Sequence, residues 1–364
     1  LLDAGALQQW YAMNRSTNFQ EFKAALAQNH LPMFNIMYAD NSDNIFYISN
    51  GKMPYRNADP KYNWASTLPG NTRATLWKTF KPLDELPQYT NPASGYLFNT
   101  NHSPFLATST EENLNPAKFD KYDGYETYHN NRSQRAKDLI DSYAKIGWAD
   151  LKRIKFDRQL PSKILYPYGL DATIIFNLDA SKYPELASII HGLNQWNHVT
   201  NIESLGALYY NIAYYQASKI RSNGSKDPLT ESEAVQLCQY VHDFLMKHYG
   251  RLDVTLGEYQ RLVRGTEDWP QAGMPDVLAA VMSEPFGESK RKMNSGDAYI
   301  GFVKFPKDGG LPLIETVNTF GASSHPESKH FADQRALYQA QQTKRMTLDK
   351  EEVLKAAERI YHPY

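Results

Sequence analysis

The chain has 364 residues, with 39 Lys plus Arg against 40 Asp plus Glu and a formal net charge of −1. That balance creates no field of the kind that concentrates nucleic acid or an anionic membrane surface, and no apolar run approaches the roughly 18–20 residues of a bilayer span. The 25 Tyr and 6 Trp suit a soluble protein with amphipathic aromatic surfaces, and the single cysteine, Cys238, excludes an internal disulfide and any multi-cysteine metal site.

In chain order, the first thirty residues read as helix, with Asn18 and Glu21 forming a capping-box signature ahead of Phe22, Ala25 and Leu26. Two short apolar runs follow, 34–39 and 45–49, split by a polar turn from Asp40 to Asn44. This is a hairpin pattern, and its near-continuous apolarity predicts a sheet covered on both faces. Residues 50–125 are rich in Pro, Asn and Trp with little periodicity, which predicts long ordered loops of the kind that carry sites. A helix is expected over 131–146, with Leu139, Ile140 and Tyr143 on one face and Gly147 ending it. Three more are expected over 185–196, 203–220 and 231–248, the last capped by Thr230 with Glu233 and closed by Gly250. Residues 222–228 read as a polar loop, Cys238 as core packing, and 297–305 as a strand.

Standard motifs are absent: there is no Gly-x-Ser-x-Gly elbow, no His-Glu-x-x-His and no phosphate-binding glycine loop. His30, His102, His129, His191, His325 and His330 fit no ligand spacing. Asp40 and Asp43 read as turn residues and Arg56 as a structural ion-pair partner.

An ordered series of short motifs is more specific. It begins with Asn35-x-Met37-Tyr38-Ala39-Asp40, Asn44-Ile45, Gly51-x-x-Pro54-x-Arg56, Leu86-Pro87, Asn91-Pro92-x-x-Gly95-Tyr96 and Asn99-x-Asn101-x-Ser103-Pro104. It continues through Trp196-Asn197, Leu262-x-x-Gly265, Gly296-Asp297, Phe320-Gly321-Ala322-Ser323-Ser324 and His330-Phe331-Ala332-Asp333-Gln334. In this order the motifs resemble the catalytic chain of the penicillin amidase family, and the Gly265 and 320–334 regions look closest to its acyl-homoserine lactone acylase and aculeacin acylase branch.

The resemblance implies an α+β fold, part of the αββα sandwich of N-terminal nucleophile hydrolases with an added helical lobe. Residues 1–130 would hold the hairpin and site loop, 131–290 a mainly helical lobe, and 291–364 the return strands and C-terminal helix. Family members are made as one precursor that cuts itself to expose a Ser, whose α-amine serves as base when its hydroxyl attacks a linear amide. Leu1 has no such nucleophile. The resemblance therefore implies that upstream α and N-terminal β segments of the same precursor supply it, and that this chain alone is inert. Asn101 falls on the family's oxyanion-hole asparagine. Arg132 falls on the arginine that in the family lies near that asparagine and the N-terminal amine, although Arg135 offers a second alignment.

Phe34, Tyr38 and Trp64 are expected to line the acyl pocket. No cofactor is expected; a structural calcium ion of the kind some penicillin acylases bind would use Glu111 or Glu112. The implied substrate is a small N-acyl amide, such as an acyl-homoserine lactone or a penicillin-type compound, and the implied compartment is periplasmic or extracellular, with no nucleic acid and no membrane span. The alternative is a non-catalytic secreted binding module, or a family member that kept the scaffold after losing its nucleophile.

Overall fold

In the computed structural model, which describes residues 4–362 apart from 57, 60, 167–169 and 221–226, the chain divides between His129 and Asn130 into two compact units. The segment Phe305–Gly310 belongs to the first.

The N-terminal helical pattern of the first unit resolves into two helices, α1 (Gly5–Arg15) and α2 (Phe19–Leu26). They are separated because Asn18 is extended and accepts the Glu21 amide proton at 2.9 Å, while the Glu21 carboxylate reaches back to the Thr17 amide at 2.8 Å. The expected hairpin follows as β1 (Phe34–Ala39) and β2 (Ile45–Asn50), and β3 (Gln88–Thr90) completes an antiparallel sheet of order β1-β2-β3. Asp40 closes the turn by accepting the amide protons of Ser42 and Asn44, and Asp43 is left-handed at φ 60°.

The pleat sends Ile36, Tyr38, Phe46 and Ile48 toward α1 and α2, where they pack on Phe19 and Leu26. Tyr47 points to the opposite face and packs on Tyr89 and Ala107. Coverage of both faces therefore holds for β2 alone. β1 is an edge strand with Phe34 43% and Met37 46% exposed, so the apolar run misjudged that strand.

The second unit opens with α3 (Asn131–Asp141), which stops short of the predicted end because the Ser142 hydroxyl folds onto the Leu139 carbonyl at 2.7 Å. Gly147 instead opens α4 (Trp148–Lys155). The buried residues of α3 are Asn131, Ser133 and Ala136, a polar face that apolar periodicity cannot detect. After the short pair β4 (Leu165–Tyr166) and β5 (Leu170–Asp171) come α5 (Ala187–Asn194), α6 (Leu205–Ile220), α7 (Glu231–Tyr249) and α8 (Leu256–Tyr259). Their shared core includes Ile189, Leu208, Leu237 and Val241. Thr230 and Glu233 form the predicted box and Gly250 ends α7 at φ 66°. Cys238 is fully buried, and burial pushes its thiol up to about 12, which keeps it an unreactive core residue. The loop reading of 222–226 lies outside the described residues.

Residues 260–296 correct the expectation of a mainly helical region up to 290. They form β6 (Gln260–Arg264), β7 (Glu267–Pro270), β8 (Val281–Phe286) and β9 (Lys290–Gly296), in the order β7-β6-β9-β8 with β6 parallel to β9. Runs such as Lys290-Arg291-Lys292 carry no apolar alternation, so pairing with neighbours rather than local pattern makes them strands. A second sheet joins β10 (Tyr299–Lys304), β11 (Leu313–Asn318) and β12 (Lys344–Met346), with Ile300 and Phe302 inward on β10 as the alternation predicts. The helices α9 (Arg335–Gln339) and α10 (Lys350–Ala356) complete the chain. No helix among the described residues is long and apolar enough to cross a membrane.

One ion pair in this unit makes stability depend on pH. Lys152, Thr343 and Trp148 all donate to the Glu315 carboxylate, and these bonds, the Lys152 one foremost, hold its pKa down to about 2. A depressed carboxyl pKa contributes stability above the unfolded value near 4.5 that is lost as pH falls toward 2. Glu315→Gln is expected to cost on the order of 1–3 kcal/mol at neutral pH and to flatten this acid dependence, as urea titrations between pH 2 and 7 would read.

Candidate functional site

The loops after β3 are shaped by side chains that satisfy main-chain groups. Asn91, left-handed at φ 47°, accepts the Ile45 amide proton at 2.8 Å. Glu112 accepts from the amides of Ser94 and Ala93 and from the Ser109 hydroxyl, and these interactions, those with Ser94 foremost, hold its carboxyl below the usual range. One of the two carboxylates considered for calcium thus braces a loop, and Glu111 is exposed. Among the described residues no three His, Cys, Asp or Glu gather as a metal-ligand cluster.

Asn99 then builds the site turn. Its Oδ1 accepts the Asn101 amide proton at 2.8 Å, placing Asn101 at φ 59°. Asn tolerates that left-handed backbone far better than a β-branched residue would. The self-capping role common for loop asparagines therefore falls to Asn99, while Asn101 is exposed. His102 is buried directly behind it. Its Nε2 lies 2.9 Å from the Leu106 carbonyl, which can only accept, and its Nδ1 receives the Thr100 amide proton at 3.0 Å, so the ring is the neutral Nε2–H tautomer. The Ser103 hydroxyl donates to the Glu126 carbonyl at 2.5 Å.

This turn borders a cleft of about 800 Å³ within the first unit. Apolar lining comes from Met33, Phe34, Met53, Pro54 and Trp77, and polar lining from Asn35, Arg56, Asn101, Asp123 and Tyr125. Asp123 pairs with Lys81 at 2.6 Å, the two side chains being 3% and 8% exposed. The structure corrects the ion-pair reading of Arg56, which donates to the Tyr122 carbonyl. The buried ion pair beside it is Lys81–Asp123.

Of the residues expected in an acyl pocket, the cleft brings only Phe34 together with Asn101. Tyr38 lies farther along β1 on the helix side, where it packs on Phe22 at 4.7 Å and Phe19 at 5.4 Å and donates to Asp40 at 2.8 Å. Trp64 is half-buried elsewhere in its loop. The tryptophan on the cleft is Trp77, 58% exposed. Both lie in aperiodic sequence, so no local signal separates them. Met33 and Trp77 were missed for that reason.

Arg132 begins α3 in the second unit. Burial pushes its pKa down against the attraction of Asp276 and Asp297. Burial likewise pushes Asp276 up against a hydrogen bond from Asn131 Nδ2 at 3.1 Å and the attraction of Arg132. Both residues are half-buried. Arg135 forms a two-point pair with Asp157 at 2.9 and 2.8 Å and also reaches Gln159. Its guanidinium is held by structural partners.

The 320–334 motif also lies in this unit and forms a clasp. The Arg264 guanidinium sits 4.1 Å from the Phe331 ring centre and 4.7 Å from that of Phe320 and donates to the Ser323 carbonyl at 3.0 Å. A Cβ on Gly321 would lie 2.1 Å from the His330 carbonyl oxygen, so only glycine fits this crossing.

The sequence model of the penicillin amidase family matches residues 2–355. Acyl-homoserine lactone acylase PvdQ of Pseudomonas putida is 22% identical over an alignment of 387 positions that covers 94% of this chain and 47% of that protein. Its Pseudomonas fluorescens counterpart is 23% identical, with 92% and 47% covered. Penicillin G acylase of Escherichia coli is 34% identical over 104 residues, 28% of this chain and 12% of that one. The chain thus spans about half, or less, of the length of the curated relatives it matches. Among solved structures, the thermostable penicillin G acylase from Alcaligenes faecalis superposes with a TM-score of 0.61 at 14% identity, covering 99% of this chain and 72% of that one. The mixed helix-and-sheet fold is therefore that of the penicillin acylases, and with a family match over nearly its whole length the chain belongs to the penicillin amidase family.

Proposed function

We propose that this chain carries the oxyanion-stabilising part of a hydrolase for linear N-acyl amides, with the Asn101 side-chain amide as donor. The supporting observation is that Asn101 is exposed on a left-handed turn, braced by Asn99 and His102, at the edge of a cleft with an apolar lining. An amide oxygen that becomes negative during attack needs donors fixed in place before the reaction, and one such donor contributes about 2.7–4 kcal/mol.

In this reading the nucleophile is a Ser heading an upstream segment of the same precursor, whose α-amine takes the hydroxyl proton. The Ser oxygen bonds to the acyl carbon, the C–N bond breaks, and the departing amine receives that proton. Water then releases the acid. Arg132 is assigned to keep the α-amine neutral by like-charge repulsion. Met33, Phe34, Met53 and Trp77 take the acyl chain, rather than Tyr38 and Trp64. The hairpin sheet with α1 and α2 on one face would supply a sheet and a helix layer of an αββα sandwich. Export to the periplasm or beyond accompanies this reading.

Hydrolysis by the complete protein tests it, using acyl-homoserine lactones of several chain lengths and a benzylpenicillin-type amide, with free amine and acid measured together. Equimolar release by the complete protein and none by the present chain are expected. A correctly processed but silent complete protein across that panel would favour a binding module instead.

A further inference from the structure

The turn that presents Asn101 is the end of a directional chain of hydrogen bonds. The Asn101 main-chain N–H can only donate, so the Asn99 side-chain atom 2.8 Å away must be its oxygen. This settles the orientation of the Asn99 amide and turns its Nδ2 toward Tyr47 Oη and the His102 carbonyl, each at 3.4 Å. Having accepted, the Tyr47 hydroxyl gives its single proton to Asn35 Oδ1 at 2.8 Å. Every donor along this path faces an acceptor, and both ends of it, Asn101 and Asn35, line the same cleft.

Tyr47 lies on the central strand β2 and is 0% exposed. Its ring packs among Tyr89, Ala107, Leu97 and Leu114, a setting that phenylalanine would fill equally well. Packing therefore does not require the hydroxyl, whereas a hydroxyl kept in such surroundings needs its partners. Burial also pushes the phenol pKa up, which keeps the O–H proton in place as a donor.

We infer that Tyr47 is a positioning residue, whose hydroxyl accepts from Asn99 and donates to Asn35 and so holds the turn that aims Asn101 into the cleft. This rests on the reading of Asn101 as oxyanion donor. Without the hydroxyl, Asn99 Nδ2 keeps only its long bond to the His102 carbonyl and the turn loosens, while the Thr100 bond to His102 preserves the loop itself. Small displacements of an oxyanion donor reduce the rate of the chemical step with little effect on substrate binding.

The experiment is steady-state kinetics on the complete, correctly processed protein. Tyr47→Phe is expected to lower kcat about three- to tenfold with KM nearly unchanged. In an Asn101→Ala background the same substitution should have no further effect on kcat, a result that a merely structural role would not give. Tyr209→Phe is the control: it also removes a buried hydroxyl, one that donates to the Leu252 carbonyl at 2.9 Å, and should leave kcat unchanged. Asn35→Ala, which breaks the chain at its exposed end, should lower kcat in the same direction even if Tyr47→Phe fails to fold. An unchanged kcat in Tyr47→Phe, or an equal further loss in the Asn101→Ala background, overturns the positioning role. Full activity in Asn101→Ala alone instead overturns the oxyanion reading, and the role of Tyr47 with it.

Discussion

Asn101→Ala, in the complete and correctly processed protein, is expected to lower kcat about a hundred- to a thousandfold while KM stays within a few-fold. The pattern follows from where the donor acts. A side-chain amide aimed at the oxygen that becomes negative binds the transition state more strongly than the substrate, so its loss appears in kcat. Two companion variants separate chemistry from backbone. Asn101 has φ 59°, so alanine also introduces strain of order 1 kcal/mol. Asn101→Gly relieves that strain without restoring the donor and should be as slow as alanine. Asn101→Asp keeps the turn but sets a negative charge beside a developing one, and should be slower still. A glycine variant with normal kcat would show that alanine acted through strain, and Asn101 would lose its assigned role.

Removing one member of the Lys81–Asp123 pair is expected to have the largest effect on stability, about 3–5 kcal/mol for Asp123→Ala or Lys81→Met in urea unfolding. The pair is 2.6 Å apart with both side chains at least nine-tenths buried. Each variant leaves the remaining charge in a site of low polarity without its partner. The double variant Lys81→Met/Asp123→Leu should recover most of the loss, since neither charge then remains to be solvated. Because Asp123 also lines the cleft, the double variant tests whether the pair shapes the cleft as well as the fold. Recovered stability with raised KM would assign it both tasks. Additive losses in the double variant would mean the pair is not an energetic unit.

Much of the local structure was legible in the residues themselves. Short-range chemistry decides a helix start such as Thr230 with Glu233, a left-handed stop at Gly250, and a tight turn at Asp40–Asn44, and the structure has all three. The limits appear where partners distant in sequence decide. The polar strands of 260–296 become strands by pairing with one another, and α3 buries Asn131, Ser133 and Ala136 rather than Leu139 and Ile140.

The site divides in the same way. The Asn99-x-Asn101-x-Ser103-Pro104 motif pointed to this loop through its resemblance to the penicillin amidase family, and loop asparagines favour the local side-chain-to-backbone turn found there. The identity of the cleft walls was not legible. Tyr38 and Phe34 lie on the same pleat face of one strand, yet only the strand-end residue lines the cleft, and Trp77 rather than Trp64 is the tryptophan there.

By itself, then, the sequence determined the family, the hairpin, the capped helices and the asparagine turn, because each depends on residues within a few positions of one another or on the order of such groups. Only the tertiary structure decided that a buried tyrosine hydroxyl links Asn99 to Asn35, and that Lys81 meets Asp123. Those outcomes depend on which side chains are shut away from water together, and buried polar groups must find partners wherever the fold brings them within hydrogen-bonding distance.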